Sequence, residues 1–440
     1  MISLNEADSN FIYPQALAKQ LTLFTDSSNW ANYDVAIDIN HDMYMNAVNY
    51  DKIPDWNGTG VPPMGGYWFA NDSSIKDYQL DLQYIILHQM IHGLGMVSSW
   101  APYFSDTNSP FQKLLKGLIV PEDSLKVMTP SPYWYIRHST GPAYVTGFQP
   151  NMIFDKFLNL TIPAKNETRW LVEFGFDLQS FCVLENDAFI VNFMNAFLNN
   201  ATQSSRAKSI YVSMAQSKTL SFKFSTTCEK SAYFTNAYLN QTYSSIQLMT
   251  GPNILQDNTL TEEALYRPGI STSHVDDDYA GTPDFLMTHT FNFGKTLQQL
   301  IEDAYSTIPE IKYNITSTIK VNVTTVHNTT VGNHTISANV TTTEERDQIT
   351  EFLYKSAIGP GILRILETIG YSTVLTNTNY TTSAIKTTKA KTSCDDSNNN
   401  YFSRDILEVT VPKSDATRLF ATNINFYCIV LLFAPTFFIL

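Results

Sequence analysis

The chain has 440 residues, of which 43% are hydrophobic, and it carries a formal net charge of -13. This length is enough for one large domain or two ordinary domains with a sizeable core. The acidic balance, without any basic patch, excludes nucleic acid as an expected partner.

The first hundred residues predict a small α/β arrangement around one buried helix. Residues 10–33 have a mixed polar and apolar pattern that favours a helix, and Tyr33–Asn40 alternates in the manner of a strand. Tyr78–His92 is apolar on more than one face, which is typical of a buried helix. Gly93 and Gly95 follow it, and glycines at this position commonly end a helix.

The middle of the chain, residues 101–271, has aromatic residues throughout, which indicates a folded region. Its pattern predicts a helix near Ala188–Leu198 and strands at Leu220–Ser225 and Tyr243–Met249. We find no chemical motif in it. His138 is a lone histidine, for which a structural role is the simpler interpretation.

The last third of the chain changes composition twice. Residues 312–343 form a Thr/Asn/Val tract that we interpret as an exposed excursion. Glu344–Ile369 is predicted to be helical, and Gly370 is the expected stop. Residues 374–413 are rich in Ser, Thr and Asn, have too few apolar residues to pack, and are predicted to be a disordered stalk.

Many N-x-[ST] sequons predict N-linked glycosylation and therefore passage through the secretory pathway. They occur at Asn57, Asn71, Asn159, Asn166, Asn200, Asn240, Asn314, Asn322, Asn328, Asn333, Asn339 and Asn379. The cluster within the Thr/Asn/Val tract is the least expected by chance. We therefore expect an extracellular protein.

The C-terminal segment, residues 414–440, resembles a glycolipid-anchor signal. Small residues at Ser414–Ala416 precede a polar spacer and the apolar tail Phe426–Leu440, and Ser414 is the predicted attachment residue. A buried C-terminal strand and a tail anchor are the alternatives. A glycolipid anchor requires a signal peptide, but residues 1–13 contain no apolar run. We therefore expect the sequence to begin downstream of a signal peptide.

Four cysteines are too few for a disulfide framework, so the hydrophobic core must carry the fold. Cys182 and Cys228 could pair with each other. Cys428 lies in the apolar tail, and Cys394 would then be left over in a polar tract.

The string HQMIHGLG from His88 to Gly95 carries the clearest chemistry. Histidines four residues apart share one helix face, so His88 and His92 could bind one metal ion. With Glu at position 89 the string would be H-E-x-x-H, in which the Glu moves protons during peptide hydrolysis. Gln89 has the same shape but cannot ionise.

A third ligand must come from elsewhere or be absent, because Ser98 stands where the extended zinc motif has its last His. His274 is the best candidate, and His289 is the rival. Asp276–Asp278 is most simply a solvated acidic turn, although it could supply a substitute ligand.

At these places the chain resembles the leishmanolysin-like, metzincin-type zinc metallopeptidases. The similar segments are His88–Gly95, Ser273–Val275, Asp284–Met287 and Gly359–Tyr371. The resemblance implies that His88, His92 and His274 bind zinc (Zn²⁺) and that Met287 is the residue of a Met-turn. Gln89 would occupy the general-base position, and Val275 replaces the usual aromatic residue.

The resemblance implies an α/β, zincin-like fold with a mixed sheet beside the metal helix. We expect an N-terminal subdomain at 1–100, an insertion at 101–271 and a Met-turn subdomain at 272–373. The expected function is that of a cell-surface metalloendopeptidase-like protein with impaired catalysis, which keeps zinc and binds a peptide or protein ligand. An active peptidase with another base and a metal-free, glycosylated surface-coat protein are the alternatives.

Overall fold

The computed structural model describes residues 2–3, 8, 10–21, 30–45, 65–70, 72, 74–105, 109–115, 120–136, 142–184, 187–224, 244–251 and 271–373. Over these residues the protein is a mixed α/β structure with small sheets, which confirms the predicted class. The predicted stalk, the apolar tail and His138 lie outside the described residues.

The elements fall in the following order. The strands are β1 (Ile2–Ser3), β2 (Phe11–Tyr13), β3 (Tyr67–Trp68), β4 (Leu80–Asp81), β5 (Pro132–Ile136), β6 (Ala143–Phe148), β7 (Asn151–Met152), β8 (Leu158–Ile162), β9 (Glu167–Trp170), β10 (Leu220–Lys223), β11 (Ser245–Gln247), β12 (Ile311–Val331) and β13 (His334–Tyr354). The α-helices are α1 (Gln15–Leu21), α2 (His41–Met45), α3 (Leu82–Gly93), α4 (Pro110–Leu115), α5 (Glu122–Leu125), α6 (Leu171–Gln179), α7 (Ile190–Asn199), α8 (Ala201–Met214), α9 (Leu297–Ser306) and α10 (Pro360–Ile369). Short 3-10 turns include Ile153–Phe157, Ser271–Ser273, Asp277–Tyr279 and Phe285–Met287.

The largest described sheet has four strands in the order β11-β10-β8-β9. Its inner strands alternate because one face packs into the core: Leu158, Leu160 and Ile162 of β8 are buried, as are Leu220 and Phe222 of β10. A three-stranded sheet has the order β1-β2-β7, while β3 and β4 form a short parallel pair.

One hydrophobic core collects residues from the whole described chain, from Phe11 to Tyr371. The middle region contributes much of it, including the fully buried Phe154, Phe193 and Phe222. The predicted helix near residue 190 is confirmed as α7, and the two predicted strands are confirmed as β10 and β11.

Of the helix predicted over residues 10–33, only Gln15–Leu21 is helical among the described residues, because Phe11–Tyr13 pairs as strand β2. Two further predicted elements are wrong. Tyr33–Asn40 alternates as expected, with Val35 and Ile37 half-buried, but it forms no strand. Alternation makes a strand only where a neighbouring strand accepts its backbone hydrogen bonds, and among the described residues none does.

The second error lies at Glu344–Ile369, where only the last part is helical. Residues up to Tyr354 belong to β13, which pairs with β12 from Ile311↔Tyr354 to Val331↔His334. Long-range pairing overrides the weak local helix preference of this stretch. Helix α10 then ends at Gly370, whose φ of 129° confirms the predicted stop.

Helix α3 begins four residues later than predicted, because Leu80–Asp81 pairs with β3 as a strand. Its last residue is Gly93, and Gly95 turns the chain with a φ of 119°. Within the described part of the chain, no helix combines the length and apolar character needed to cross a membrane.

Candidate metal centre

Helix α3 holds two of the candidate ligands. The Asp81 side chain accepts a hydrogen bond from the Gln83 N–H at 2.8 Å and so caps the first turn of the helix. Tyr84, His88 and Ile91 are the buried residues, spaced at intervals that put them on one side of the helix. His88 therefore lies inside the protein, and His92 follows one turn later on the same face.

The turn after α3 fixes the ring of His92. Gly95 adopts a left-handed conformation that favours glycine, and the chain folds back beside the helix end. As a result His92 Nδ1 lies 2.7 Å from the Met96 carbonyl oxygen. A carbonyl oxygen can only accept, so Nδ1 carries the hydrogen and the lone pair of His92 is on Nε2.

His274 comes from an irregular segment held by distant parts of the chain. The His274 carbonyl accepts from the Met249 N–H at 3.0 Å, and the Val275 N–H donates to the Met287 carbonyl at 2.9 Å. The Ser98 N–H donates to Ser273 Oγ at 2.9 Å. The middle region, in which we found no chemistry, thus helps to place this histidine.

The buried turn Phe285–Met287 touches both halves of the site. His88 Nδ1 lies 2.6 Å from the Leu286 carbonyl oxygen, which assigns the lone pair of His88 to Nε2. Met287 is fully buried and supports the backbone next to His274 through its carbonyl. The predicted Met-turn residue therefore lies in the turn that orients a candidate ligand.

Asp284, just before this turn, connects it to the closing helix α10. The Asp284 carboxylate is fully buried and accepts from the Ile362 N–H at 3.1 Å. It lies so close to the chain that a Cβ at Gly359 would come within 2.1 Å of Oδ1. The glycines of the Gly-Pro-Gly string are thus explained by this close approach.

The three predicted ligands converge on one point. The Nε2 atoms of His88 and His92 are 3.1 Å apart, and each lies 3.3 Å from Nε2 of His274. Nitrogens at tetrahedral corners about 2.0–2.1 Å from a common centre would be about 3.3 Å apart. The three side chains could therefore hold a metal ion.

The protonation states of the histidines favour a metal ion between their Nε2 atoms over a proton shared by these atoms. Burial, followed by the neighbouring His92, lowers the pKa of His88 from 6.5 to about 3. Burial also lowers the pKa of His92. Neutral imidazoles at pH 7 present lone pairs that would repel one another without a cation between them, and they bind a metal without first losing a proton.

The other candidates do not join this cluster. His289 stacks edge-on against His274 with ring centroids 5.3 Å apart, but it is outside the ligand set. Asp276 caps its own turn, Asp277 accepts from Thr290 at 3.0 Å, and Asp278 pairs with Lys218. Among the described residues, no carboxylate completes the site within ligand distance.

Gln89 occupies the position next to the first ligand, and its side chain is exposed. An exposed amide at this position can donate and accept hydrogen bonds, but it cannot take up a proton.

Sequence reasoning missed Asp155, the buried carboxylate behind the site. Its oxygens accept from Ser98 Oγ at 2.6 Å, Ser99 Oγ at 2.6 Å, the Ser99 N–H at 2.9 Å and the Met152 N–H at 3.1 Å. Burial nevertheless raises the pKa of Asp155 to about 6. The only sequence signal is one acidic residue inside the apolar run NMIFDKFLNL.

The remaining predicted sites are spread over the molecule. Cys182 is disulfide-bonded, and its predicted partner Cys228 lies outside the described residues. Asn166 has a left-handed backbone at φ 50°, and the Asn200 side chain caps α8. Further predicted sites outside the described residues are Asn57, Asn71, Asn240, Asn379 and Ser414.

Comparison with known proteins gives one match. The model of a family described as SPBPB7E8-like matches residues 64–397, a span that contains all three clustered histidines. No curated protein and no solved structure matches the chain. Because the match covers more than half of its length, this chain belongs to the SPBPB7E8-like family.

Proposed function

We propose that this protein is a cell-surface, zinc-binding protein with a metallopeptidase-like site whose general base has been lost. The observation that carries the proposal is the convergence of His88, His92 and His274, with Nε2 atoms 3.1–3.3 Å apart. Zinc is the proposed metal because it favours tetrahedral sites with imidazole ligands, and three protein ligands are the usual number in its catalytic sites.

Gln89 decides what such a site can do. Zinc supplies Lewis acidity that would polarise a peptide carbonyl. In an H-E-x-x-H helix the Glu has to receive a proton from the attacking water and return it to the leaving amine. Gln89 takes the place of this Glu. The exposed amide of Gln89 can orient a water or a peptide by hydrogen bonds but cannot receive that proton. The protein is then a peptide-binding protein rather than an efficient peptidase.

The finer parts of the fold proposal rest on the same site. A zincin-like arrangement would have the metal helix on one side and a Met-turn on the other. The placement of Met287 in a buried turn next to His274 supports that reading, as does Leu286 as the acceptor for His88. The leishmanolysin-like relationship remains a proposal on these grounds.

The first test is the zinc content of the purified full chain. We expect close to one zinc per chain, lost in His274→Ala because two ligands hold the metal poorly. His289→Ala is the matched control, since this histidine touches His274 but is outside the cluster. Zinc absent from the unaltered chain would favour the metal-free surface-coat alternative.

The second test restores the base. Gln89→Glu should raise cleavage of an unstructured protein by about 10²- to 10⁴-fold, the usual contribution of a general base, and a chelator should abolish it. Cleavage by the unaltered chain at the rate of the variant would instead support the alternative of an active peptidase with another base.

The cell-surface location has its own test. We propose that the chain is N-glycosylated and held by a glycolipid at Ser414, on the sequence pattern alone. Release of the protein from intact cells by a phosphatidylinositol-specific phospholipase is the expected result. Retention on the cells after this treatment would contradict the anchor.

A further inference from the structure

The hairpin of β12 and β13 has no described layer of structure over most of its length. Each strand has 21 residues, whereas typical strands have about 3–10 residues. A two-stranded ribbon is at best marginally stable alone in water. At its base, Ile311 and Tyr354 are buried.

The pairing register divides the outer ribbon into two different faces. Residues directly paired across an antiparallel ladder point to the same side, and the next pair points to the opposite side. One set of alternate pairs runs from Ile319↔Arg346 to Val331↔His334. We call this the apolar face and the opposite one the sequon face.

Each pair on the apolar face contains one apolar residue. These residues are Ile319, Val321, Val323, Val331, Ile336, Ala338 and Val340, all of them exposed or half-buried. The face also carries Arg346 and Glu344, which form an ion pair with each other at 3.1 Å. The apolar face is therefore a nearly neutral strip on a strongly acidic chain.

The sequon face carries the predicted glycosylation sites. Asn322, Asn328 and Asn339 all belong to it, because they pair with Thr343, Ser337 and Val326. All three asparagines are exposed. Glycans at these positions would keep a partner away from this face and leave the apolar face accessible.

We propose that the apolar face of the ribbon is a dimerisation surface whose occupant is the same face of a second copy of this chain. The apolar face extends from Ile319 to Val331 of β12, a length of about 43 Å at about 3.3 Å per residue. With a ribbon width of about 10 Å, the contact buries about 430 Å² per copy, which is below the about 800 Å² per partner of a standard interface and has the size of a weak, concentration-dependent dimer.

The pairing chemistry favours a second copy over a lipid surface. Every apolar residue on this face has a polar partner beside it, such as Thr329 beside Ile336 or Thr325 beside Val340. Hydrocarbon cannot satisfy the hydrogen bonds of these partners. An identical face can, because it presents the same alternation of apolar and polar groups. The neutral charge of the strip also lets two acidic chains approach there.

The test is the mass of the purified, glycosylated full chain in solution, measured by sedimentation over a wide range of concentrations. A dimer is expected at the higher concentrations, in equilibrium with the monomer at the lower ones. Ile336→Lys should raise the dimer dissociation constant at least about tenfold, because each dimer buries two such charges. Val326→Lys is the matched control: the two residues are 63% and 61% exposed but lie on opposite faces.

A glycan added to the apolar face would block the contact and provides an independent test. Val340→Asn creates an N-T-T sequon on the apolar face, and the glycosylated variant should be monomeric. Thr341→Asn also creates an N-T-T sequon while removing that of Asn339, so it keeps the number of sequons and leaves the added glycan on the sequon face. This control should remain dimeric.

A monomeric unaltered chain would overturn the proposal, and so would a dimer that survives both Ile336→Lys and Val340→Asn. Equal loss of the dimer in Val326→Lys would also overturn it, because the effect would not be specific to the apolar face. Sedimentation of a monomeric chain with phosphatidylcholine vesicles would assign the face to lipid instead.

Discussion

The two halves of the candidate metal centre reach the same point by different means. The helix half, Leu82–Gly93, positions His88 and His92 through the spacing of one helix and through one carbonyl contact to each histidine. The loop half, 271–288, positions His274 through three hydrogen bonds. The Met249 N–H donates to the His274 carbonyl, the Ser98 N–H donates to the neighbouring Ser273 Oγ, and the Met287 carbonyl accepts from the next residue, Val275.

Because the two halves are positioned differently, some substitutions should lower stability alone and others should lower both stability and metal affinity. Helix geometry sets the distance between two ligands as soon as the helix forms. The third ligand depends on tertiary contacts that join the middle region, the end of α3 and the Met287 turn. Substitutions that remove the hydrogen bonds of the loop half should therefore reduce both metal affinity and stability. Substitutions at the start of α3 should reduce stability alone.

The largest effect is expected at Asp155, which ties the segment after α3 to the middle region. Asp155→Ala leaves two serine hydroxyls and two backbone N–H groups without their buried acceptor. We expect a loss of about 3–5 kcal/mol in the free energy of unfolding. Zinc affinity should fall as well, because Ser98 supports Ser273 next to His274.

Urea unfolding and a competitive zinc titration measure the two effects of Asp155→Ala. Asp123→Ala is the control, since Asp123 is an exposed residue that pairs with Lys126, its one ion-pair partner among the described residues, and it should change neither quantity. Unaltered zinc affinity in a destabilised Asp155→Ala protein would show that the loop half does not depend on this joint.

The same carboxyl should give the protein a distinct pH dependence. Burial raises the pKa of Asp155 from 3.8 to about 6, so between these values the folded state holds a proton that the unfolded state has lost. Its stabilising contribution, at most about 3 kcal/mol, is therefore complete below pH 3.8 and is lost as the pH rises through about 6.

Asp155→Asn cannot ionise and should lack this loss. The measurement is the free energy of unfolding of both proteins at about pH 4 and about pH 7. The unaltered chain should lose more stability between the two values than the variant does. Identical pH slopes would mean that Asp155 titrates alike in the folded and unfolded states.

Gly95 tests the end of the helix half. Its φ of 119° is one that residues with a side chain rarely adopt, and a Cβ at this position would lie 3.0 Å from Pro14 and 3.1 Å from Ile369. Gly95→Ala should lower stability by about 2–3 kcal/mol and loosen the Met96 carbonyl that orients His92. Gly281→Ala is the control, since no atom of the described residues lies within 4 Å of its Cβ position. Equal melting temperatures for the two variants would contradict this account.

The sequence was sufficient for the parts of the site that depend on local spacing. His88 and His92 follow from one helical repeat, and His274 was identified from the short string around it. The structure brings all three together. Asp155 could not be predicted in its role, because its partners Ser98 and Ser99 are more than fifty residues away and only the folded chain joins them.

The same limit explains the hairpin. Its residues alternate weakly, and Glu344–Arg346 are good helix formers, so local preference favoured a helix. The strand forms because β12 provides a partner in register along its full length. Register is a property of two distant segments, and single-sequence periodicity does not contain it.

The smallest effect is expected at Asp81, where the helix half begins. Its carboxylate accepts from the Gln83 N–H at 2.8 Å and from the Leu297 N–H at 2.7 Å, so it serves the first turns of both α3 and α9. Asp81→Ala should lower stability by about 1–2 kcal/mol, and Thr296→Ala, which removes a cap from α9 alone, by about half as much. His88 lies two turns further on, and the bonds that orient it do not involve Asp81. Zinc content should therefore stay unchanged in the folded Asp81→Ala protein, and a loss of zinc there would remove the distinction between the two halves.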